Sequence, residues 1–558
     1  MSLQGSLASS LNQDRTPYVN ALAALLVVLC PPLGALAQAR SESMAQTAQW
    51  QVYQAHIESG KDYADPFWGV TVTLRVASPS GKQSVVEAFW DGGRVWRARF
   101  SPDEVGKWTW QSECSDATDK GLHGQKGSFE CVPYKGDNPL LQHGPIKLSD
   151  NRRYLIHADG TPFFWLADTA WNGVLLAKED DWTRYLTTRQ KQGFTAIQFV
   201  CTHWRGLTKD PQGETAWTGK ERVHLNPAFF QRLDAKVAAI NEHGLAAVPV
   251  VLWALTETDP GRILPEADAI RVARYIVARW GAHQVIWFLG GDGHYTGGNA
   301  PRWHRVGRAV FPEPRSRLVT MHPCGQSWVA PDLRDEPWFD FVGYQSGHGD
   351  SEQHLKWLAL GPPASGWQKE PPRPIINIEP NYEGHPSYHS KKRFTDADVR
   401  RAAYWSLLVA PTAGVTYGNN PIWVWPYKTQ VPENHGNIGP VEPWHTGLDL
   451  PGIRSMSILK RFLASLPWWQ LSPAPELLTD QPGKQDVTRF VAAAKSPDDK
   501  HIVAYSPKGA PISLKLSRPA AAQWFDPRTG ERQEVGPAAQ GAKTFTPPNQ
   551  DDWVLVLQ

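Results

Sequence analysis

Eight short apolar segments recur between residues 141 and 470, and no other feature of the sequence constrains the fold as tightly. They are Phe163–Ala167, Ala196–Val200, Ala246–Leu252, Val285–Leu289, Leu318–Met321, Phe341–Tyr344, Ile375–Ile378 and Gly414–Tyr417. Short apolar runs rich in β-formers read as buried strands. Helical patterns lie between several of them: Phe229, Leu233, Val237 and Ile240 share one helical face, as do Ile270, Ala273 and Val277. Eight strand–helix repeats over about 300 residues match a (β/α)8 barrel and exceed what a doubly wound sheet needs. The connection between the fifth and sixth strands is mostly loop, which makes it the least regular unit.

The flanks have a different rhythm. From 46 to 137 short alternating runs such as Val70–Val76, Ser84–Trp90 and Val95–Phe100 are separated by turns (Ser78-Pro79-Ser80-Gly81, Asp91-Gly92-Gly93), the pattern of a β-sandwich. After a brief join comes a hairpin signal, Arg153–Ala158 and Thr161–Ala167 around Asp159-Gly160. Residues 471–558 return to strands around the turn Asp526–Gly530, a second small β-sandwich. With 558 residues the chain exceeds one hydrophobic core. The expected fold class is multidomain α/β, a central (β/α)8 TIM barrel at 141–470 flanked by an N-terminal β-sandwich and a small C-terminal one.

Charge excludes one class of partner. Lys and Arg number 57 against 55 Asp and Glu, and the longest basic run is Lys391-Lys392-Arg393, so no nucleic acid is expected. The apolar stretch Val19–Ala37 ends in small residues, and Pro31-Pro32 would break a membrane helix halfway. Residues 1–37 therefore read as a signal peptide, with export to the periplasm or the medium and no integral membrane span after cleavage. In an exported chain Cys114 and Cys131, bracketing a polar stretch between two strands, are expected to form a disulfide worth about 3 kcal/mol. Tryptophan, at 27 residues, is abundant enough to supply rings for stacking on ligands as well as for packing.

Barrel chemistry gathers where the strands end. The residues there are Asp168 and Trp171 after the first strand, His203, Trp204 and Arg205 after the second, and Trp253 after the third. Asp292 follows the fourth strand, His322 the fifth, Gln345 and His348 the sixth. Glu379, Tyr382 and Glu383 follow the seventh; Tyr417, Asn419 and Trp423 the eighth. Carboxylates, imidazoles, amides and indoles at one rim compose a sugar site.

Glycosidic bonds are cleaved by two carboxyl groups on opposite sides of the bond. Asp292 and Glu379, 87 positions apart, end the fourth and seventh strands, which face each other across a barrel mouth. A neighbouring carboxylate raises the pKa of a general acid, so Asp292 is expected as acid/base and Glu379 as nucleophile. Carboxyl groups about 5–5.5 Å apart would give retention, and about 6.5–9.5 Å inversion. The two glycines before Asp292 are expected to let the backbone turn sharply and to let a ligand approach closely. His203, His322 and His348 are read as hydrogen-bond partners, with no metal or cofactor. Trp171, Trp204, Trp253 and Trp423 are candidate stacking platforms, and Arg205 either grips a uronate or makes a loop ion pair.

Several motifs together resemble the apiosidase-like glycoside hydrolase family: Leu166-Ala167-Asp168-Thr169-Ala170-Trp171, Trp287-Phe288-Leu289-Gly290-Gly291-Asp292, His322-Pro323, Tyr344-Gln345-Ser346-Gly347-His348, Ile378-Glu379-Pro380-Asn381-Tyr382-Glu383-Gly384 and Gly414-Val415-Thr416-Tyr417-Gly418. The resemblance implies a sandwich, a barrel and a C-terminal domain of collagen-binding type, with the catalytic pair at Asp292 and Glu379. Wider relatives of this barrel carry Asn-Glu on the fourth strand; Gly291-Asp292 is a departure shared with the apiosidase-like group. The implied substrate is a plant-type poly- or oligosaccharide, with release of apiose-linked side chains from pectin. Two alternatives remain open: a non-catalytic carbohydrate-binding protein on a barrel scaffold, and a metal-dependent hydrolase.

Overall fold

The computed structural model describes residues 45–219 and 221–558; the expected signal peptide lies outside them. All eight expected strands form: β1 (Trp165–Thr169), β2 (Ala196–Val200), β3 (Ala246–Trp253), β4 (Trp287–Gly293), β5 (Val319–Pro323), β6 (Val342–Gln345), β7 (Ile375–Glu379) and β8 (Gly414–Tyr417). They pair in parallel in the order β5-β4-β3-β2-β1-β8-β7-β6. Between β5 and β6 the circle is closed by Thr320, whose hydroxyl donates to Phe341 O (2.6 Å) and accepts from the Gly343 N–H (3.1 Å). Every residue of these strands is buried except Asp292. A barrel interior is packed with side chains, so a strand residue that keeps solvent contact must sit at an open end.

The helical layer is built from α1 (Glu179–Lys191), α2 (Pro227–Glu242), α3 (Glu266–Trp280), α4 (Ala300–Val310), α5 (Glu352–Leu360), α6 (Asp396–Leu408) and α7 (Pro451–Ala464). Phe229, Leu233, Val237 and Ile240 are the buried face of α2, as their spacing predicts. Asn226 caps α2 by accepting from the Phe229 N–H, and Pro227 begins it without a lost donor. Between β5 and β6 the only helix is the four-residue Ala330–Leu333, in keeping with a loop-rich connection.

The N-terminal β domain has seven strands, and its long strand Gln83–Trp90 serves two neighbours. Its first part pairs with Val72–Ala77 and its last part with Val95–Phe100, so the sheet folds around Leu74, Trp96, Trp108 and Phe129. The C-terminal domain is a six-stranded sheet, largely antiparallel in pairing, with a two-stranded ribbon (Ile512–Leu516, Gly541–Phe545). Two of its strands, Arg532–Ala538 and Gly541–Phe545, carry little apolar signal because most of their side chains are exposed.

One expectation fails here. Cys114 and Cys131 are free thiols, both buried. Strands Gly106–Cys114 and Lys126–Val132 are antiparallel, and Cys131 lies opposite Gly106. The two cysteines therefore sit at opposite ends of this strand pair, their backbones about 27 Å apart at about 3.4 Å per residue, far beyond disulfide reach. Cys201 is a core residue, fully buried. Among the described residues no helix is long and apolar enough to cross a membrane.

Candidate active site

Both expected carboxylates sit where a strand loses register. On β4 the pairing with β5 shifts on either side of Gly291, leaving Asp292 as an extra residue between the Gly291–His322 and Gly293–Pro323 partners. On β7 the pairing slips between Asn377 and Glu379. Bulges of this kind bend a strand and re-aim a side chain. The turn at β4 is made by Asp292 itself, at φ 48°; aspartate tolerates this left-handed region better than most residues. The preceding glycines have another task, since neither has positive φ. A Cβ on Gly290 would meet the Tyr295 hydroxyl at 2.5 Å, and one on Gly291 would meet Val250 Cγ1 at 2.4 Å and Trp253 Cε3 at 2.6 Å.

One imidazole joins the two strand ends. The Asp292 N–H donates to His322 Nδ1 (3.3 Å), so the ring proton resides on Nε2, which lies 3.1 Å from Glu379 Oε2 at an oblique angle. His348 repeats the arrangement: its Nδ1 accepts from the Tyr382 N–H (3.3 Å), and its Nε2 donates to Glu379 Oε1 (3.0 Å). Two backbone N–H groups thus set two tautomers, and both carboxylate oxygens of Glu379 face an N–H.

The electrostatics separate the pair. Burial alone would push Glu379 up, but His322 and His348 outweigh it and hold the carboxyl well below the usual range. Asp292 is pushed up, first by burial and then by the negative charge of Glu379, with His322 and Arg205 opposing. Glu379 is held ionised while Asp292 binds its proton more tightly than an ordinary carboxyl, the division of labour that acid-assisted displacement requires.

Around this pair lie rings and unsatisfied polar atoms. Trp171 meets His322 edge-on (5.2 Å between centroids), Trp253 packs on Trp171 (5.5 Å) and Trp204 (4.3 Å), and Tyr382 packs on His348 (4.6 Å). Trp253 Nε1, the Tyr382 hydroxyl and Gln345 Oε1 are buried without a partner. Gln345 is the β6 residue in register with Glu379. Buried polar atoms left unpaired in a folded protein call for a ligand or water.

Other expected rim residues turn away. Along a strand, alternate side chains point to opposite faces, and Asp168 points out of the barrel toward α1. It pairs with Arg189 (2.6 Å) and accepts from the Tyr185 hydroxyl (2.8 Å), fully buried. Glu383 accepts from the Tyr417 hydroxyl (2.5 Å) and the Gly452 N–H (3.0 Å). Asn419 caps the helix Asn420–Val424 by accepting from Ile422 N–H (3.1 Å). His203 accepts from the Ala216 N–H (3.3 Å) and packs on Trp217 (4.4 Å); burial pushes its imidazole down to about 4. These five residues, Asp168, His203, Glu383, Tyr417 and Asn419, brace the wall behind the mouth instead of lining it.

Among the described residues Arg205 makes no ion pair, the second of the two contacts foreseen for it. Its guanidinium meets His435 Nε2 (2.9 Å) and Asn434 O (3.4 Å), and the ring of His435 packs between Trp204 (5.8 Å) and Trp423 (5.0 Å). The Arg205 N–H is held by the fully buried Asp259 (3.0 Å), which also accepts from Thr256 N–H and hydroxyl. Reading only the residues next to each strand misses Asp259, Tyr388 and His435, which lie deeper in the loops.

A parallel barrel carrying two electrostatically divided carboxyl groups at its strand ends belongs to the class of glycoside hydrolases. Residues 149–470 match the apiosidase-like catalytic domain, more than half of the sequence, and the chain belongs to that family. Residues 46–115 match a domain of unknown function, and 472–558 a collagen-binding-like domain. A solved glycoside hydrolase shares 23% identity, with a TM-score of 0.67 over 76% of this chain and 98% of its own. A family 5 glycoside hydrolase from Bacteroides vulgatus ATCC 8482 shares 22% identity, with a TM-score of 0.67 over 76% and 95%. At such identities the likeness speaks to the fold. No match was found among curated proteins.

Proposed function

We propose that this protein is an exported hydrolase of plant-type polysaccharide, releasing apiose-linked or related pectin side chains by a two-carboxylate, retaining mechanism. Protonated Asp292 gives its proton to the glycosidic oxygen as the C–O bond breaks, while Glu379 attacks the anomeric carbon and forms a glycosyl ester. Esterification removes the charge of Glu379, the Asp292 pKa falls, and Asp292 then takes a proton from the water that cleaves the ester. The observation that carries the reading is the pairing of an ionised Glu379, faced by His322 and His348, with a raised Asp292. The unpaired Trp253, Tyr382 and Gln345 atoms beside them suit sugar hydroxyls. Substrate class rests on family membership, and export on the apolar, proline-broken leader ending at Ala37.

The test is incubation with pectic oligosaccharides, identification of the released sugar and its anomer by NMR, and the same assay on Asp292→Asn and Glu379→Gln. Release by the wild type with retained configuration, and a loss of at least about 10³-fold in each variant, is expected. An inverted product would replace the ester intermediate with direct attack by water; binding without release would make the protein a lectin-like scaffold.

A further inference from the structure

The loop between β7 and α6 carries an aromatic side chain well beyond the strand end. Ser387 N–H donates to Lys392 O (2.8 Å) and Pro386 pairs antiparallel with Arg393, so residues 386–393 form a small hairpin. Two ties pin it to the segment after β6: Tyr388 N–H donates to His348 O (2.8 Å), and Ser390 N–H donates to Asp350 Oδ1 (3.2 Å). The Ser390 hydroxyl donates to the same carboxylate. The Tyr388 ring stands edge-on to His348 (5.7 Å) and His385 (5.9 Å). His348 holds Glu379, so the phenol ring is one imidazole away from that carboxylate. Burial of the hydroxyl, then the charges of Glu379 and Asp292, push the phenol up. The residue is nevertheless 47% exposed.

An exposed tyrosine on a loose loop is ordinary surface. This one is fixed through its own N–H, beside the proposed catalytic pair, with nearly half of the residue open to solvent. A ring held in place before binding offers its face at little entropic cost. We infer that Tyr388 is a substrate-contacting, specificity-determining residue whose ring walls the cleft beside Glu379 and stacks on the apolar C–H face of a bound sugar. The inference rests on the hydrolase reading above.

The probe is a pool of oligosaccharides from partly depolymerised pectin. Tyr388→Ala is expected to raise KM about tenfold while kcat stays within about twofold, and Tyr388→Phe to stay within about twofold in both. Should the alanine variant fail to fold, Tyr388→Leu, which keeps bulk without an aromatic face, is expected to show the same rise. An unchanged KM in the alanine or leucine variant overturns the inference, as does a phenylalanine variant as impaired as alanine, since the hydroxyl would then be the contact. A wild type that releases nothing overturns the hydrolase reading separately. Quenching of tryptophan fluorescence by the same pool then decides: weaker binding in Tyr388→Ala supports the stacking wall, while equal binding, or none in the wild type, overturns it.

Discussion

Glu379 is an acid that burial alone would neutralise, and it stays ionised because two imidazoles face it. The same geometry dictates a pH profile. The proposed mechanism needs Glu379 ionised and Asp292 protonated, so the rate should fall on the acid side well below the ordinary carboxylate range. On the alkaline side it should fall as Asp292, pushed up to about 7 by burial and by Glu379, loses its proton. The two groups titrate as a pair, and the profile reports the pair's apparent values. Removing one N–H from Glu379 raises its pKa, because a hydrogen bond to the charged form is lost. His348→Phe should therefore move the acid limb of kcat/KM to higher pH, which a pH–rate series would show; an unmoved limb would mean that His348 does not set the charge of Glu379. Asp292, Glu379, His322 and His348 were all legible in the sequence as strand-end residues of the right chemistry. Asp168, Glu383, Tyr417 and Asn419 were legible by the same rule and turned out to brace the wall, because a strand end does not reveal which way its side chain points. The tautomers were beyond reach, since backbone N–H groups from Asp292 and Tyr382 decide them.

At the scale of the element, hydrophobic runs located all eight barrel strands, because buried parallel strands are nearly continuous apolar segments. The register shifts that aim Asp292 and Glu379 left no such trace, since a bulge adds one residue without altering composition. The Gly290-Gly291 pair is instructive. Glycines before a catalytic acid suggest a sharp turn, yet the turn belongs to Asp292, and the glycines instead make room for Tyr295, Val250 and Trp253. Gly291→Ala should therefore act through packing. Its methyl would lie 2.4 Å from Val250 Cγ1 and 2.6 Å from Trp253 Cε3, so the indole must move. Overpacking of this sort costs about 1–3 kcal/mol. We expect a lower denaturation midpoint together with a loss of kcat/KM, as the displaced Trp253 no longer packs on Trp171 and Trp204. Denaturant titration and steady-state kinetics on the one variant would separate the two effects.

Across the whole molecule, the barrel is tied to the β domains through buried charge. Asp234 on α2 accepts from Arg279 of α3 through Nε and Nη2 (2.8 and 2.7 Å), from Trp280 Nε1 (2.8 Å), and from Arg99 of the N-terminal domain (2.7 Å). Arg279 also donates to Asp91 in the turn of that domain (2.8 Å). On the other flank Arg400 of α6 holds Asp552 of the C-terminal domain through Nε and Nη2 (2.8 and 3.0 Å), and Trp405 donates to Phe490 O (3.0 Å). Such ties suit domains that brace the barrel, and the brief join between the N-terminal sandwich and the barrel agrees with fixed attachment. The partners themselves were not legible, because each tie between domains joins residues far apart in the sequence, from 85 positions for Trp405 and Phe490 to 188 for Asp91 and Arg279. Removing Asp234 leaves Arg99 and the fully buried Arg279 short of a counter-charge, a loss of about 3 kcal/mol. Because the lost partner serves two domains at once, Asp234→Ala should lower the stability of both together. Scanning calorimetry should show a single transition at a reduced midpoint, with kcat at low temperature little changed, since Asp234 is remote from the strand ends. An early separate transition of the N-terminal domain, leaving the barrel at its original midpoint, would show that the two fold independently and that the ion network is only an interface contact.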